Sequence, residues 1–153
     1  MAEPDEVLAC APGHHDALLR VMKIPPRFNR YLIRHRNPVD NWTAGRVTLL
    51  GDAAHPMVQY LAQGAAMALE DAICLANCTR DAAGDMDRAF QDYQARRIVR
   101  ATRVQMSSLM LDKFYHARGI ERLVRNSVFQ GRTTEEFYER LSWLYTSPDY
   151  VHR

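Results

Sequence analysis

The chain has 153 residues, 20 Lys and Arg against 18 Asp and Glu, a net charge of +2 and 47% apolar residues. That length supports one domain with a modest core, and the near balance of charge leaves no basic footprint for nucleic acid. Three cysteines without disulfide-dense spacing exclude a secreted cross-linked framework, and no run is long and apolar enough for a membrane span; with the polar, acidic start Met1-Ala2-Glu3-Pro4-Asp5, which is no signal peptide, a soluble cytoplasmic protein is expected.

In chain order, Gly13 to Lys23 reads as a short helix with Ala17, Leu18, Val21 and Met22 on one side, ended by Pro25-Pro26. His14 and His15 are adjacent and so point about 100° apart on a helix. No carboxylate or cysteine cluster accompanies them, and no metal site is expected. Phe28 to Arg34 alternates as an extended segment that lies unpaired or as an exposed edge. Val47-Thr48-Leu49-Leu50 has the β-branched, apolar character of a buried interior strand. Gly51 lets the backbone turn sharply after it, leaving Asp52 at the strand's carboxyl end.

A loop containing His55 and Pro56 follows. Two readings stand for His55: a base, or a structural hydrogen-bond partner in a tight loop. Gln63-Gly64 then opens a helix rich in small residues, Ala65-Ala66-Met67-Ala68-Leu69-Glu70-Asp71-Ala72-Ile73, with no Ser, Thr, Asp or Asn to cap it, so its first N–H groups are available to a ligand. Cys74 and Cys78, one turn apart on that helix, are expected as small apolar filling rather than a disulfide.

After a polar turn at Asp81 to Asp85, a long helix is predicted from about Met86 to His116, with Phe90, Tyr93, Ala101, Val104, Leu111 and Tyr115 on one broad face. Arg96, Arg97, Arg100 and Arg103 gather on another part of its surface. They form either a binding patch for phosphates, nucleic acid or an acidic partner, or a solvated, salt-bridged face. Two short helices complete the chain: Ile120 to Val128, and a segment opened by the capping-box pattern Thr133-Thr134-Glu135-Glu136. Phe137, Leu141, Leu144 and Tyr145 share one face of the last, a packing surface that suits a homodimer.

The combined pattern GRVTLLGDAAHPM, then QG, then ALEDA closely resembles the second flavin-binding motif of the single-component (class A) FAD-dependent aromatic hydroxylases. The resemblance implies FAD as cofactor, held by Gly51, Asp52, Pro56, Gln63, Gly64, Ala65 and Ala66. Asp52 would accept hydrogen bonds from the ribityl chain, and the helix start would face the pyrimidine edge of the isoalloxazine. NAD(P)H would be the co-substrate in the full-length family. A carboxylate accepts from sugar-type hydroxyls, and a helix N-terminus carries roughly half a positive charge, which suits reduced flavin. The variant HPMVQYLAQG, with Gln59 where proline is usual and Ala62 where glycine is usual, is similar to the members that act on 3-hydroxybenzoate. By that resemblance Gln59 would hydrogen-bond an aromatic acid substrate; the other reading makes it a solvated loop residue. No residue is assigned as catalytic.

None of the seven glycines forms GxGxxG, and there is no Asp-Gly pair. The expected fold is therefore mainly α with a few short strands, an α+β fragment: the C-terminal part of the FAD/NAD(P)-binding hydroxylase fold without its N-terminal Rossmann βαβ unit. Within it, residues 1–44 would be a remnant of the substrate-binding sheet region, 45–80 the flavin motif and 81–153 the helical region. The expected partner is a missing N-terminal FAD-binding half or a second copy of the chain. A flavin-dependent monooxygenase portion, inactive alone, is one functional reading. A non-catalytic interaction protein or one half of a split enzyme is the alternative.

Overall fold

A computed structural model describes residues 1–151. The chain divides into two compact units, Met1–Ile33 and Arg34–Arg153. The first holds α1 (Pro4–Ala9) and α2 (Asp16–Met22), with a single bridge joining Ala2 to Phe28. Helix α2 starts later than its apolar pattern suggests, because the ring Nδ1 of His15 accepts the Ala17 N–H and caps it there. Its predicted apolar side is also half open, with Leu18 and Val21 exposed. The segment beyond Phe28 forms no strand, and Tyr31, Leu32 and Ile33 are exposed.

The second unit is mostly helical: α3 (Gly64–Asp81), α4 (Met86–Tyr115), α5 (Gly119–Phe129) and α6 (Thr134–Tyr145) follow a hairpin of β1 (Thr43–Ala44) and β2 (Val47–Thr48). The hairpin is antiparallel, with Thr43 opposite Thr48 and Ala44 opposite Val47. The expectation of a buried interior strand over Val47 to Leu50 is overturned. Only Val47 and Thr48 pair, Val47 is 65% exposed, and Leu50 lies at the surface. A strand's side chains are all buried only where packed layers cover both faces of its sheet, and among the described residues the sheet is a two-stranded hairpin. Trp42, just ahead of the hairpin, occupies the core instead.

That core lies between α3 and α4. Cys74, Cys78 and Ala82 pack with Ala89, Tyr93 and Ala101, and a second cluster joins Met67 and Val104 to Leu144 of α6. The turn between the two helices is short, and the Asp85 carboxylate accepts the Arg88 N–H to cap α4. At 30 residues, α4 is about 45 Å long. The capping box is present at α6, where the Thr133 hydroxyl accepts from Glu136 N–H and the Glu136 carboxylate accepts from Thr133 N–H. Of its predicted face only Leu144 is buried. No helix among the described residues is long and apolar enough to cross a membrane.

Candidate functional site

The glycine-aspartate turn is a 3-10 turn over Gly51–Ala53, immediately after the hairpin. Gly51 has φ +57°, a left-handed conformation that strains any residue with a Cβ, and a Cβ there would also stand 3.3 Å from the Ala68 methyl of α3. The turn thus docks on α3 through its glycine. Its own hydrogen bonds run from Ala54 N–H and His55 N–H to the Gly51 carbonyl, both at 2.9 Å. The Arg36 guanidinium donates to the carbonyls of Ala53 and Ala54 at 2.9 and 2.8 Å.

A buried carboxylate lies beneath this turn. Asp71 Oδ2 accepts the Gly51 N–H at 3.0 Å and His55 Nε2–H at 2.6 Å, and its Oδ1 accepts Arg97 Nε–H at 2.6 Å. All three side chains are essentially inaccessible. Burial works against ionisation of Asp71, yet the donors from His55, Arg97 and Gly51 outweigh it and hold the carboxyl below its ordinary range. Arg97 also donates to Glu70, to the Tyr150 hydroxyl and to the Met67 carbonyl; burial works against its charge, and Asp71 with Tyr150 outweighs that and raises its pKa. Arg100 grips Glu70 through two donors at 2.7 and 2.8 Å and also reaches the Trp143 and Leu144 carbonyls, tying in the end of α6. Burial likewise opposes ionisation of Glu70, and the two arginines win, lowering its pKa. Arg103 lies over the Trp143 ring at 3.7 Å.

These findings correct the expectation of an arginine cluster on one helix surface. Arg97 is in the core, on the face that carries Tyr93, Ala101 and Val104, while Arg100 is half-buried against Glu70. Sequence reasoning missed Asp71 and Arg97 as the centre of the site. A signal for both existed: each is a charged residue on the apolar stripe of its helix, Met67-Asp71-Cys74-Cys78 in α3 and Tyr93-Arg97-Ala101-Val104 in α4.

Asp52 itself is exposed, and among the described residues its carboxylate has no hydrogen-bond partner. His55 is buried against the Trp42 ring and engaged by Asp71. That geometry matches a structural partner rather than a solvent-facing base. The Pro56 carbonyl accepts from Gln105 Nε2 at 2.9 Å, so its polar group is committed to the scaffold. Gln59 is exposed at the start of a second 3-10 turn, Gln59–Leu61. Its neighbour Tyr60 donates to Asp112 Oδ1 at 2.7 Å, and Ala62 ends the turn in a left-handed conformation at φ +53°.

Helix α3 begins at Gly64 with Gln63 at its cap position and no side-chain cap. The first bond back into the helix is from Met67 N–H to the Gln63 carbonyl, which leaves the N–H groups of Gly64, Ala65 and Ala66 without an intrahelical acceptor. A free carboxylate on a rigid turn and an uncapped, positively polarised helix end are a donor and acceptor set that fits FAD: hydroxyls to accept from and an electron-rich ring edge to donate to. Two grooves of about 750 and 720 Å³ lie elsewhere, along α4 and α5 and beside Pro38 and Val39, and include none of these residues.

Comparison with known proteins identifies a flavin-binding family. The FAD binding domain family model matches residues 21–108. The chain is 48% identical over 126 residues to 3-hydroxybenzoate 6-hydroxylase 2 of Aquipseudomonas alcaligenes, covering 82% of this chain and 39% of that protein. It is 46% identical over 141 residues to the 3-hydroxybenzoate 6-hydroxylase of Polaromonas naphthalenivorans, covering 92% of this chain and 35% of the relative. Against the 6-hydroxynicotinate 3-monooxygenase of Pseudomonas fluorescens identity is 37% over 105 residues, with 68% and 27% covered. The chain therefore spans less than two fifths of the length of these relatives, and it belongs to the FAD-binding family of flavin-dependent aromatic hydroxylases.

Proposed function

We propose that this chain supplies the ring-side part of the flavin site in a monooxygenase that hydroxylates a phenolic acid of the 3-hydroxybenzoate type. The observation that carries the reading is the exposed, unpartnered Asp52 carboxylate on a turn anchored to the helix whose N-terminus is uncapped. Asp52 accepts from ribityl hydroxyls. The N–H groups of Gly64, Ala65 and Ala66, with the backbone of Gln63, face the ring edge where negative charge develops on reduction, and Gly51 and Pro56 shape the turn around them. Gln59 donates to or accepts from the substrate's phenolic oxygen. FAD, when bound, supplies the redox and oxygen chemistry, with NAD(P)H as electron donor; the chain's part is to bind, orient and polarise. Residues 45–80 do this work, and 81–153 brace them.

The curated relatives support the substrate class, since two carry 3-hydroxybenzoate in their names and a third carries 6-hydroxynicotinate, all aromatic acids with a ring hydroxyl. With neither GxGxxG nor Asp-Gly among its residues, the chain by itself does not turn over. An N-terminal FAD-binding half, in the same chain or a separate one, completes the site. The test is titration with FAD, following flavin fluorescence, first alone and then with that half. Saturable quenching that needs the second half and is lost in Asp52→Ala supports the reading, and equal binding by both proteins removes it.

A second reading is favoured by one feature. Helix α5 has no buried residue, and Ile120, Leu123 and Val124 are 72, 62 and 58% exposed, an apolar face of the kind used for association. A non-catalytic interaction role predicts self-association that survives Asp52→Ala and is lost in Leu123→Glu, measured by analytical ultracentrifugation.

A further inference from the structure

The turn bearing Asp52 keeps its internal shape through the Gly51 carbonyl, but shape alone does not fix where the turn stands. It is attached to α3 through Asp71, which accepts the Gly51 N–H and binds His55 Nε2, and Gly51 lies so close to α3 that an added Cβ would stand 3.3 Å from the Ala68 methyl. Asp71 lies two helical turns, about 10 Å, along α3 from Gly64, on the same side of the helix. We propose that Asp71 is the positioning residue of the flavin site: through the Gly51 N–H and His55 it fixes the Asp52 turn on the same helix that presents the N–H groups of Gly64, Ala65 and Ala66. One rigid element then sets the separation between the two groups that meet the cofactor. This inference rests on the flavin reading above.

Three observations argue for placement rather than charge balance alone. Gly51 is buried, so without Asp71 its N–H would be an unsatisfied donor, and the turn would lift to reach water. His55 Nε2 binds the same carboxylate oxygen, so both ends of the Gly51–His55 segment are tied to one atom. Arg97 approaches the other oxygen, leaving Oδ2 free for the turn while compensating the buried charge.

The test uses two charge-neutral variants, so that neither leaves Arg97 as an unpaired buried cation: Asp71→Ala with Arg97→Gln, and Asp71→Asn with Arg97→Gln. The first measurement needs no flavin. Hydrogen exchange at the Gly51 amide is compared with that of the core amide of Cys74. The alanine pair is expected to exchange at Gly51 at least tenfold faster relative to the core than the wild type, and the asparagine pair, which retains an acceptor, to stay within about threefold. Gly51 protection that persists in the alanine pair, or that is lost in a folded asparagine pair, overturns the inference.

The second measurement is the FAD titration under the conditions used for Asp52→Ala. Weakening of about tenfold in the alanine pair with recovery in the asparagine pair supports placement; weakening that only follows the fall in melting temperature contradicts it. Should wild type and Asp52→Ala bind FAD equally, the flavin reading fails, and with it the cofactor-placing role, while the exchange data still report separately whether Asp71 holds the turn.

Discussion

Arg97 and Asp71 meet in the core between α3 and α4, Nε to Oδ1 at 2.6 Å, with neither side chain reaching solvent. A buried pair of this kind adds little net stability compared with apolar residues of equal volume, yet breaking it from one side is costly. Arg97→Met leaves Asp71 with only His55 and Gly51 as donors and strips Glu70 and Tyr150 of one partner each. The expected loss is about 3–5 kcal/mol in urea unfolding. Adding Asp71→Leu is expected to return part of it, because the remaining charge is removed; a double variant with additive losses would show that the two residues are not coupled.

The same carboxylates set the acid limit of the fold. Asp71 and Glu70 both have folded pKa values below their ordinary 3.8 and 4.5. A lowered carboxyl pKa means that the unfolded chain binds the proton more tightly, so the stabilisation is fully present above the ordinary values and drains away as pH falls through the lower folded ones. The melting temperature is expected to hold near pH 6 and to drop steeply below about pH 4.5. In the Asp71→Asn, Arg97→Gln pair the drop is expected to be shallower; an unchanged acid slope would place the linkage elsewhere.

How much of this was legible beforehand differs from element to element. Helix α3 opens at Gly64, where the small-residue run after Gln63 places it, and the Thr133–Glu136 box starts α6, because both signals are local. The strand at Val47 to Leu50 failed because its burial depended on sheet neighbours that a local pattern does not encode. Asp71 and Arg97 were hidden for a different reason: each is an ordinary charged residue in an ordinary helix, and only their shared place on facing apolar stripes marks them. The residues proposed to face the flavin stand together in a readable motif. The carboxylate beneath them was readable only as an exception to amphipathic spacing.

Ala62 is a non-glycine residue held in a left-handed conformation. It sits at φ +53° and closes the Gln59–Leu61 turn by donating its N–H to the Gln59 carbonyl at 2.8 Å. The left-handed conformation costs a residue with a Cβ about 1–2 kcal/mol, while glycine loses more chain entropy by about 0.5–1 kcal/mol. Ala62→Gly is therefore expected to raise stability by roughly 0.5–1 kcal/mol, read from thermal or urea unfolding. A destabilised variant would show that the turn is not strained at this residue.

The three cysteines differ in reactivity by position. Cys74 and Cys78 are buried and free in α3, and burial, with the neighbouring Cys78 adding to it, pushes the Cys74 thiol up to about 12. Cys10 is exposed. Native protein is expected to take up one equivalent of a thiolate-selective alkylating reagent and denatured protein three, with the native adduct on Cys10 by peptide mass. Labelling of Cys74 in the folded chain would mean that the α3–α4 interface opens on the time scale of the reaction.

Gln59 offers the most direct approach to substrate choice. Its side chain is exposed and uncommitted, and the turn that presents it is fastened from the far side, where Tyr60 donates to Asp112 and packs edge-on against Tyr115 and His116. On the proposed role of Gln59, Gln59→Leu in the completed enzyme would remove one hydrogen bond to a phenolic oxygen, worth about 1 kcal/mol, and is expected to raise KM for the phenol roughly fivefold. Tyr60→Phe should act more weakly and on both kcat and KM, since it loosens the turn without removing the amide. Gln59→Glu separates the two roles: a carboxylate still accepts from a phenol but repels a phenolate, so its KM is expected to climb as pH approaches the phenol's own pKa near 10. A KM for Gln59→Glu that does not respond to pH, together with an unchanged KM for Gln59→Leu, would place Gln59 in solvent and assign substrate recognition to other residues.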